Sequence, residues 1–245
     1  MIVSFRHRFV FVRARKVAGT SVEIALSTVC GGDDISPPIV AIDERLRQDM
    51  GGHCGNFSDD PVRERAYLSL IRAATPDQLA AIPTPPTRYE PHMSITEIET
   101  ATGRSFDDFA LVCVERDPFA KIISQLHMNT NFAAYQSATH ADMAAPPPDA
   151  AAVLDRLITR GRPGRLKSIH MYGGRAPHVL RYEHLEADLA AFARTLGVPT
   201  PPLPHAKRGP LSNTIDPASL FRRDQIDWIN GYFAEEMAAF GYAPR

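Results

Sequence analysis

Two kinds of hydrophobic pattern alternate along this chain, and they predict strands and helices in turn. Short apolar runs rich in aromatic and β-branched residues predict strands at 9–12 and 109–114, and a further short strand is predicted at 178–181. Helical spacing with capping signals predicts helices at 21–27, 94–103, 117–127, 149–160 and 185–196, further helices opening at Pro61 and Pro76, and a terminal helical region from 216 to about 240.

Strands that alternate with helices predict an α/β fold built on a central parallel sheet flanked by helices. In such sheets, ligands bind beyond the carboxyl ends of the strands. Two loops that leave a predicted strand and enter a helix, at 13–21 and 115–118, both carry basic residues. Two weakly patterned stretches, 31–57 and 129–148, are interpreted as surface loops, the second as part of a substrate lid.

Composition narrows the class of protein. The 245 residues, 44% of them hydrophobic, suit one α/β domain, and the net charge of −1 argues against bulk nucleic-acid binding. The three cysteines show no zinc-binding spacing and suit a reducing compartment. No signal peptide is apparent and no apolar run approaches the roughly 18 residues of a membrane span, so we expect a cytoplasmic protein.

The first loop has the residues of an anion site. Gly19 lets backbone amides approach a ligand, and the helix behind it offers N–H groups with a partial positive charge. Thr20 and Ser21 add hydroxyl donors, and Lys16 can neutralise charge on a departing phosphate. An ordinary strand-to-helix turn with a capping hydroxyl and a surface lysine is an equally simple interpretation of this loop alone.

The second loop offers a further anion site. Arg116 ends a strand and Ser124 lies about two helical turns further on, so a guanidinium and a hydroxyl could grip a second phosphate. The alternative is that Arg116 pairs with a neighbouring acid and Ser124 faces a small gap.

Together these stretches resemble the sulfotransferase superfamily, especially its carbohydrate and bacterial branches. The family pattern Pro-Lys-x-Ala-Gly-Thr-Ser corresponds to residues 15–21, and Val-Arg-Asn-Pro-x-x-Arg-x-x-Ser to the later loop; 180–185 and 240–242 are also similar. Arg15 replaces the usual proline, Asp117 the usual asparagine and Lys121 the usual arginine.

The resemblance implies a single domain over 1–245 with a three-layer, P-loop-NTPase-like fold and excursions at 31–93 and 129–165 around the acceptor. It also implies a donor, 3′-phosphoadenosine 5′-phosphosulfate (PAPS), a product, adenosine 3′,5′-bisphosphate (PAP), and no metal. Arg116 and Ser124 would hold the 3′-phosphate, and Lys207 and Arg208 resemble a late basic loop that closes on the nucleotide. The 5′-phosphosulfate would lie against Arg15, Lys16, Ala18, Gly19, Thr20 and Ser21.

Sulfuryl transfer also needs a base for the acceptor proton. His92 is the first choice because related enzymes often carry a histidine before the second phosphate motif; Glu90, His127 and His53 are alternatives, and Glu183 is expected to orient structure instead. The sequence identifies neither the acceptor, a carbohydrate or other small molecule, nor the oligomeric state. Two other functions stay open: a non-catalytic PAP-binding protein of the same fold, and a P-loop phosphotransferase with Glu115 as a nominal Mg²⁺ ligand.

Overall fold

The computed structural model describes residues 1–130, 149–160, 165–204 and 215–245. Its four strands are β1 (Ile2–Ser4), β2 (Phe9–Val12), β3 (Ala110–Glu115) and β4 (His178–Arg181). The helices of the described residues are α1 (Gly19–Ser27), α2 (Ala41–Asp49), α3 (Pro61–Ala73), α4 (Pro76–Leu79), α5 (Ile95–Thr102), α6 (Pro118–Thr130), α7 (Ala150–Thr159), α8 (Leu185–Thr195), α9 (Arg223–Tyr232) and α10 (Ala234–Phe240). Short 3-10 turns cover Ile169–Tyr172, Tyr182–His184 and Pro217–Ser219.

The strands form one mixed sheet in the order β1-β2-β3-β4. Strands β2, β3 and β4 are mutually parallel, as the alternating pattern predicts, with Val12 opposite Cys113 and Glu115 opposite Arg181. Their carboxyl ends therefore meet at one edge, where residues 13–18, 116–117 and 182–184 follow them. This edge is where an α/β sheet presents its ligand site.

Strand β1 departs from the predicted all-parallel sheet. It runs antiparallel to β2, and Val3 lies opposite Val10. Three residues are too few for an alternating pattern to be recognised, and the intervening turn contains Arg6, His7 and Arg8. Only pairing with β2 reveals this strand.

The predicted loop at 31–57 is wrong over residues 41–49, which form α2. Three charged residues of this helix, Asp43, Glu44 and Arg47, are buried, so its inward face does not carry the apolar stripe that identifies a helix in a sequence. The surrounding segment is also tied to the sheet, because Ile35 forms a bridge with Val3.

Helix α5 begins as its sequence predicts. The backbone N–H of Ser94 donates to Glu97 Oε2 at 2.7 Å, and the N–H of Glu97 donates to Ser94 Oγ at 3.3 Å. This reciprocal capping satisfies two N–H groups that the first helical turn leaves without a partner.

Two hydrophobic clusters hold the described parts together. One surrounds the sheet, with Phe9, Phe11 and Val112 fully buried. The other joins α6, α7, α9 and α10, and it includes Leu126, Leu154, Ile229 and Met237. Helix α7, which falls inside the predicted excursion at 129–165, is thus packed on α6, whereas most of the predicted lid loop, residues 131–148, lies outside the described residues.

Candidate functional site

The loop after β2 has a backbone that turns sharply before α1. Lys16 and Ala18 both have positive φ, 63° and 65°. Ala18 caps the helix, and its carbonyl oxygen accepts hydrogen bonds from the N–H groups of Ser21 and Val22. The first N–H groups of α1 are left for a ligand or solvent, as at every helix start, and the helix dipole favours an anion there.

Gly19 is explained by a contact that the sequence did not suggest. A Cβ atom at Gly19 would lie 2.5 Å from Cγ of Arg13, so any larger residue would displace this arginine. Arg13 is held from its other end by buried Glu23, whose Oε2 lies 2.5 Å from the guanidinium. The glycine therefore permits close packing of Arg13 against the start of α1.

Arg116 joins the loops that follow all three parallel strands. It is 4% exposed, and its Nη1 donates to the carbonyl oxygen of Lys16 at 3.4 Å. Its guanidinium lies 3.8 Å from the centre of the Tyr182 ring, just after β4. Stacking on an aromatic face and bonding to the first loop fix the direction of the guanidinium.

These loops enclose a cavity of about 640 Å³, within the usual size range of ligand pockets. Every predicted site residue that the structure describes lines it: Arg15, Lys16, Ala18, Gly19, Thr20, Ser21, His92, Arg116 and Ser124. Lys207 and Arg208 lie outside the described residues.

His92 reaches this cavity from the segment before α5. Its Nδ1 lies 2.9 Å from the carbonyl oxygen of Arg13, which can only accept, so Nδ1 carries the proton and Nε2 keeps a lone pair. Burial lowers the pKa of His92 to about 3, and the charges of Arg13 and Arg15 contribute in the same direction. The imidazole is neutral at pH 7, and a pKa this low makes it a weak base until an anion bound nearby raises it.

The other base candidates are placed differently. His53 is bonded through Nε2 to the carbonyl oxygen of Asp34 at 3.1 Å, and neither His53 nor exposed Glu90 lines the cavity. His127 is buried and does not line the cavity, and burial and the charge of Lys16 lower its pKa. Glu183 lines the cavity but accepts hydrogen bonds from the N–H of Asp117 and from the Tyr242 hydroxyl, which supports an orienting role.

Lys121 lies in the core and not in the cavity. Its Nζ lies 2.6 Å from Glu115 Oε2 and 3.5 Å from Glu236 Oε2, and all three side chains are 1% exposed. Tyr172 donates a further hydrogen bond to Glu115. This buried cluster fixes the end of β3 against α6 and α10, and Glu115 faces it, away from the position of a strand-end metal ligand.

Sequence reasoning missed Arg13 and Tyr182. Arg13 follows a strand directly, and its position at the sheet edge was the available signal. Tyr182 belongs to the stretch 180–185 that resembles the family, but only the tertiary contact with Arg116 gives it a role.

Within the described residues, no helix has the length and apolar character needed to cross a bilayer, and no group of three His, Cys, Asp or Glu side chains is arranged to hold a metal. No protein-family model, no curated protein and no solved structure matches the chain. The chemistry of the cavity is therefore the basis on which a function can be inferred.

Proposed function

We propose that this protein binds PAPS and transfers its sulfuryl group to a hydroxyl or amine of an acceptor. The observation that carries the proposal is the convergence of Lys16, Arg116 and His92 on one cavity at the carboxyl edge of the sheet. We also propose that the α/β architecture, a four-stranded mixed sheet flanked by helices, is a three-layer, P-loop-like fold.

The cavity supplies two separate positions for anions. The start of α1, with Lys16, Thr20 and Ser21, suits the 5′-phosphosulfate, because N–H groups, hydroxyls and an ammonium all favour negative charge. Arg116 and Ser124 suit the 3′-phosphate, since a fixed guanidinium and a hydroxyl can bond to phosphate oxygens together. A donor with two anionic ends would span both positions.

Transfer needs one bond to form and one to break at sulfur. The acceptor oxygen or nitrogen bonds to sulfur as the bond from sulfur to the bridging phosphate oxygen breaks, and the electron pair leaves with PAP. Lys16 stabilises the charge that develops on this phosphate. The lone pair on Nε2 of His92 takes the acceptor proton, and the charge of a bound anionic donor favours the imidazolium that forms.

Two other functions account for part of the site. A non-catalytic PAP-binding protein would use the same anion positions without a base. The presence of His92 in the cavity, with a lone pair on Nε2, favours an enzyme over a protein that only binds PAP. A phosphotransferase would place a Mg²⁺ ligand at the end of a strand, but Glu115 is engaged by Lys121 and Tyr172 in the core.

Calorimetric titration with PAP, run beside ATP with magnesium, tests the donor class. We expect PAP to bind and ATP with magnesium to bind far more weakly. Ser124→Ala should weaken PAP binding by about tenfold, the loss of one hydrogen bond to a charged group, whereas Ser219→Ala, at an exposed serine outside the cavity, should not change it. Preference for ATP, or equal PAP affinity in both variants, would overturn the proposal.

A further inference from the structure

A second cavity, of about 550 Å³, lies beside the proposed donor site. The two cavities share three lining residues, Arg15, Gln125 and Met128, so they adjoin along one side of α6. The other described lining residues are Asn129 of α6, three residues of α7, Arg160 just after α7, and residues 165 and 166.

The charged residues described in the lining of this second cavity are all positive. The residues that the structure describes in its lining include four arginines and no acidic residue: Arg15, Arg156, Arg160 and Arg165. Within the described residues, none of the four guanidiniums forms an ion pair, although Arg13, Arg47 and Arg222 elsewhere all do. Among the described residues, the positive charge of this cavity therefore has no acidic partner.

The arginines are also held close to one another. Arg156 lies in the last turn of α7 and Arg160 is the residue that follows this helix, so the two cations are four residues apart and repel each other. Burial lowers the pKa of Arg15, and the nearby charges of Arg165 and Arg13 lower it further. Such crowding costs stability in the absence of an anion, and a bound anion would relieve it.

The same helix face carries apolar side chains between its charges. Val153 and Leu157 are apolar residues of α7 that line the cavity beside Arg156. Met128 and Leu166 add further apolar lining. A cavity with this lining suits an organic body, such as a sugar ring, that carries an acidic group.

We infer that the second cavity binds the acceptor and that the acceptor carries a carboxylate, sulfate or phosphate held by Arg15, Arg156, Arg160 and Arg165. This inference rests on the proposed function, because the ligand is an acceptor only if the protein transfers a sulfuryl group. The shared side at Arg15 lets an acceptor in one cavity meet the donor in the other. A phosphate of the nucleotide itself is the other source of an anion for these arginines.

The test compares four probes on the PAP-saturated protein: glucose, glucuronic acid, glucose 6-phosphate and glucose 6-sulfate. Binding is followed by calorimetry or ligand-observed NMR. At least one acidic sugar should bind about tenfold more tightly than glucose, as expected for charge-assisted hydrogen bonds. The double variant Arg156→Gln/Arg160→Gln should remove that preference and leave PAP affinity unchanged.

A matched variant, Arg63→Gln/Arg65→Gln, removes the same charge from exposed positions on α3 that line neither cavity, and it should leave the preference intact. The inference fails if no acidic sugar binds better than glucose, or if both double variants behave alike. It also fails if Arg156→Gln/Arg160→Gln weakens PAP binding as strongly as sugar binding, because the two arginines would then bind the nucleotide and not the acceptor.

Failure of the donor assignment gives a different result. A wild-type protein that does not bind PAP refutes the proposed function, and the sugar comparison made on the protein without nucleotide still decides whether this cavity prefers anions.

Discussion

Replacing Lys121 with methionine removes the cation of the buried cluster that joins β3, α6 and α10. Methionine has a similar length and packs well in a core, so the main change is electrostatic. Glu115 and Glu236, both 1% exposed, would keep their carboxylates next to an apolar side chain. Burial by itself lowers the pKa of Lys121, but the two carboxylates raise it above its ordinary value, so the wild-type ammonium is charged at neutral pH.

The magnitude follows from the geometry. The distance of 2.6 Å from Nζ to Glu115 and the near-complete burial of both groups define a buried pair, and removing one partner of such a pair costs about 3–5 kcal/mol. Since the whole folding free energy of a domain is about 5–15 kcal/mol, Lys121→Met should remove a large share of it.

Urea unfolding followed by circular dichroism measures this loss. The midpoint should fall by at least about 1 M, given the usual dependence of unfolding free energy on urea. Arg223→Met is the matched control, because it breaks an exposed pair with Asp227 at 2.9 Å and should cost at most about 1 kcal/mol.

A second variant separates charge from packing. Glu115→Gln combined with Lys121→Met removes a negative and a positive charge together, so it should be more stable than Lys121→Met alone. If Lys121→Met costs no more than Arg223→Met, or if the double variant is less stable than the single one, the cluster does not act as a buried ion pair.

Four further predictions concern residues that line the cavity. Lys16→Ala should slow sulfuryl transfer from PAPS, measured in single turnovers, far more than it weakens PAP binding; equal losses would remove Lys16 from the leaving-group role. Arg116→Ala should erase the preference for PAP over adenosine 5′-phosphate in calorimetric titrations, and an unchanged ratio of affinities would reject Arg116 as the 3′-phosphate ligand. The pKa of His92, about 3 in the free protein, should rise when PAP binds, because an anion opposes the charges of Arg13 and Arg15. NMR titration of the imidazole with and without PAP measures this pKa, and an unchanged or lower value would refute the prediction. Because the pKa of His92 is lowered, the folded chain binds fewer protons than the unfolded chain between about pH 6.5 and 3, and the free energy of unfolding falls as the pH drops through that range. In urea unfolding, His92→Gln should therefore lose less stability than wild type between about pH 7 and about pH 4.5.

Local sequence was enough to predict β2 and most of β3, because each is a short apolar run bounded by polar or turning residues. Strand β4 was also predicted, although only Val179 and Leu180 of its four residues are apolar. The capping box of α5 was equally readable, since both of its partners lie within one helical turn. The residues expected at an anion site follow directly from these strands, so their meeting at one edge of a parallel sheet could also be anticipated.

Features that depend on distant residues could not be predicted in this way. Helix α2 buries charged residues, and Arg47 pairs both with Glu44 of the same helix and with Glu23 of α1, so the sequence of α2 lacks an apolar stripe. Lys121 matches a motif position by spacing, but Glu115 and Glu236 draw it into the core. The contact of Gly19 with Arg13 likewise exists only once the first loop has closed.

The sequence by itself thus determined the order of the main strands and helices and the chemical character of the loops between them, because backbone preference and hydrophobic pattern act over a few neighbouring residues. The tertiary structure alone decided how those loops were combined. Arg116 lies on Tyr182, His92 is bonded to Arg13, and Arg15 shares a cavity wall with Arg156, since contacts between segments far apart in the chain depend on how the sheet and helices pack.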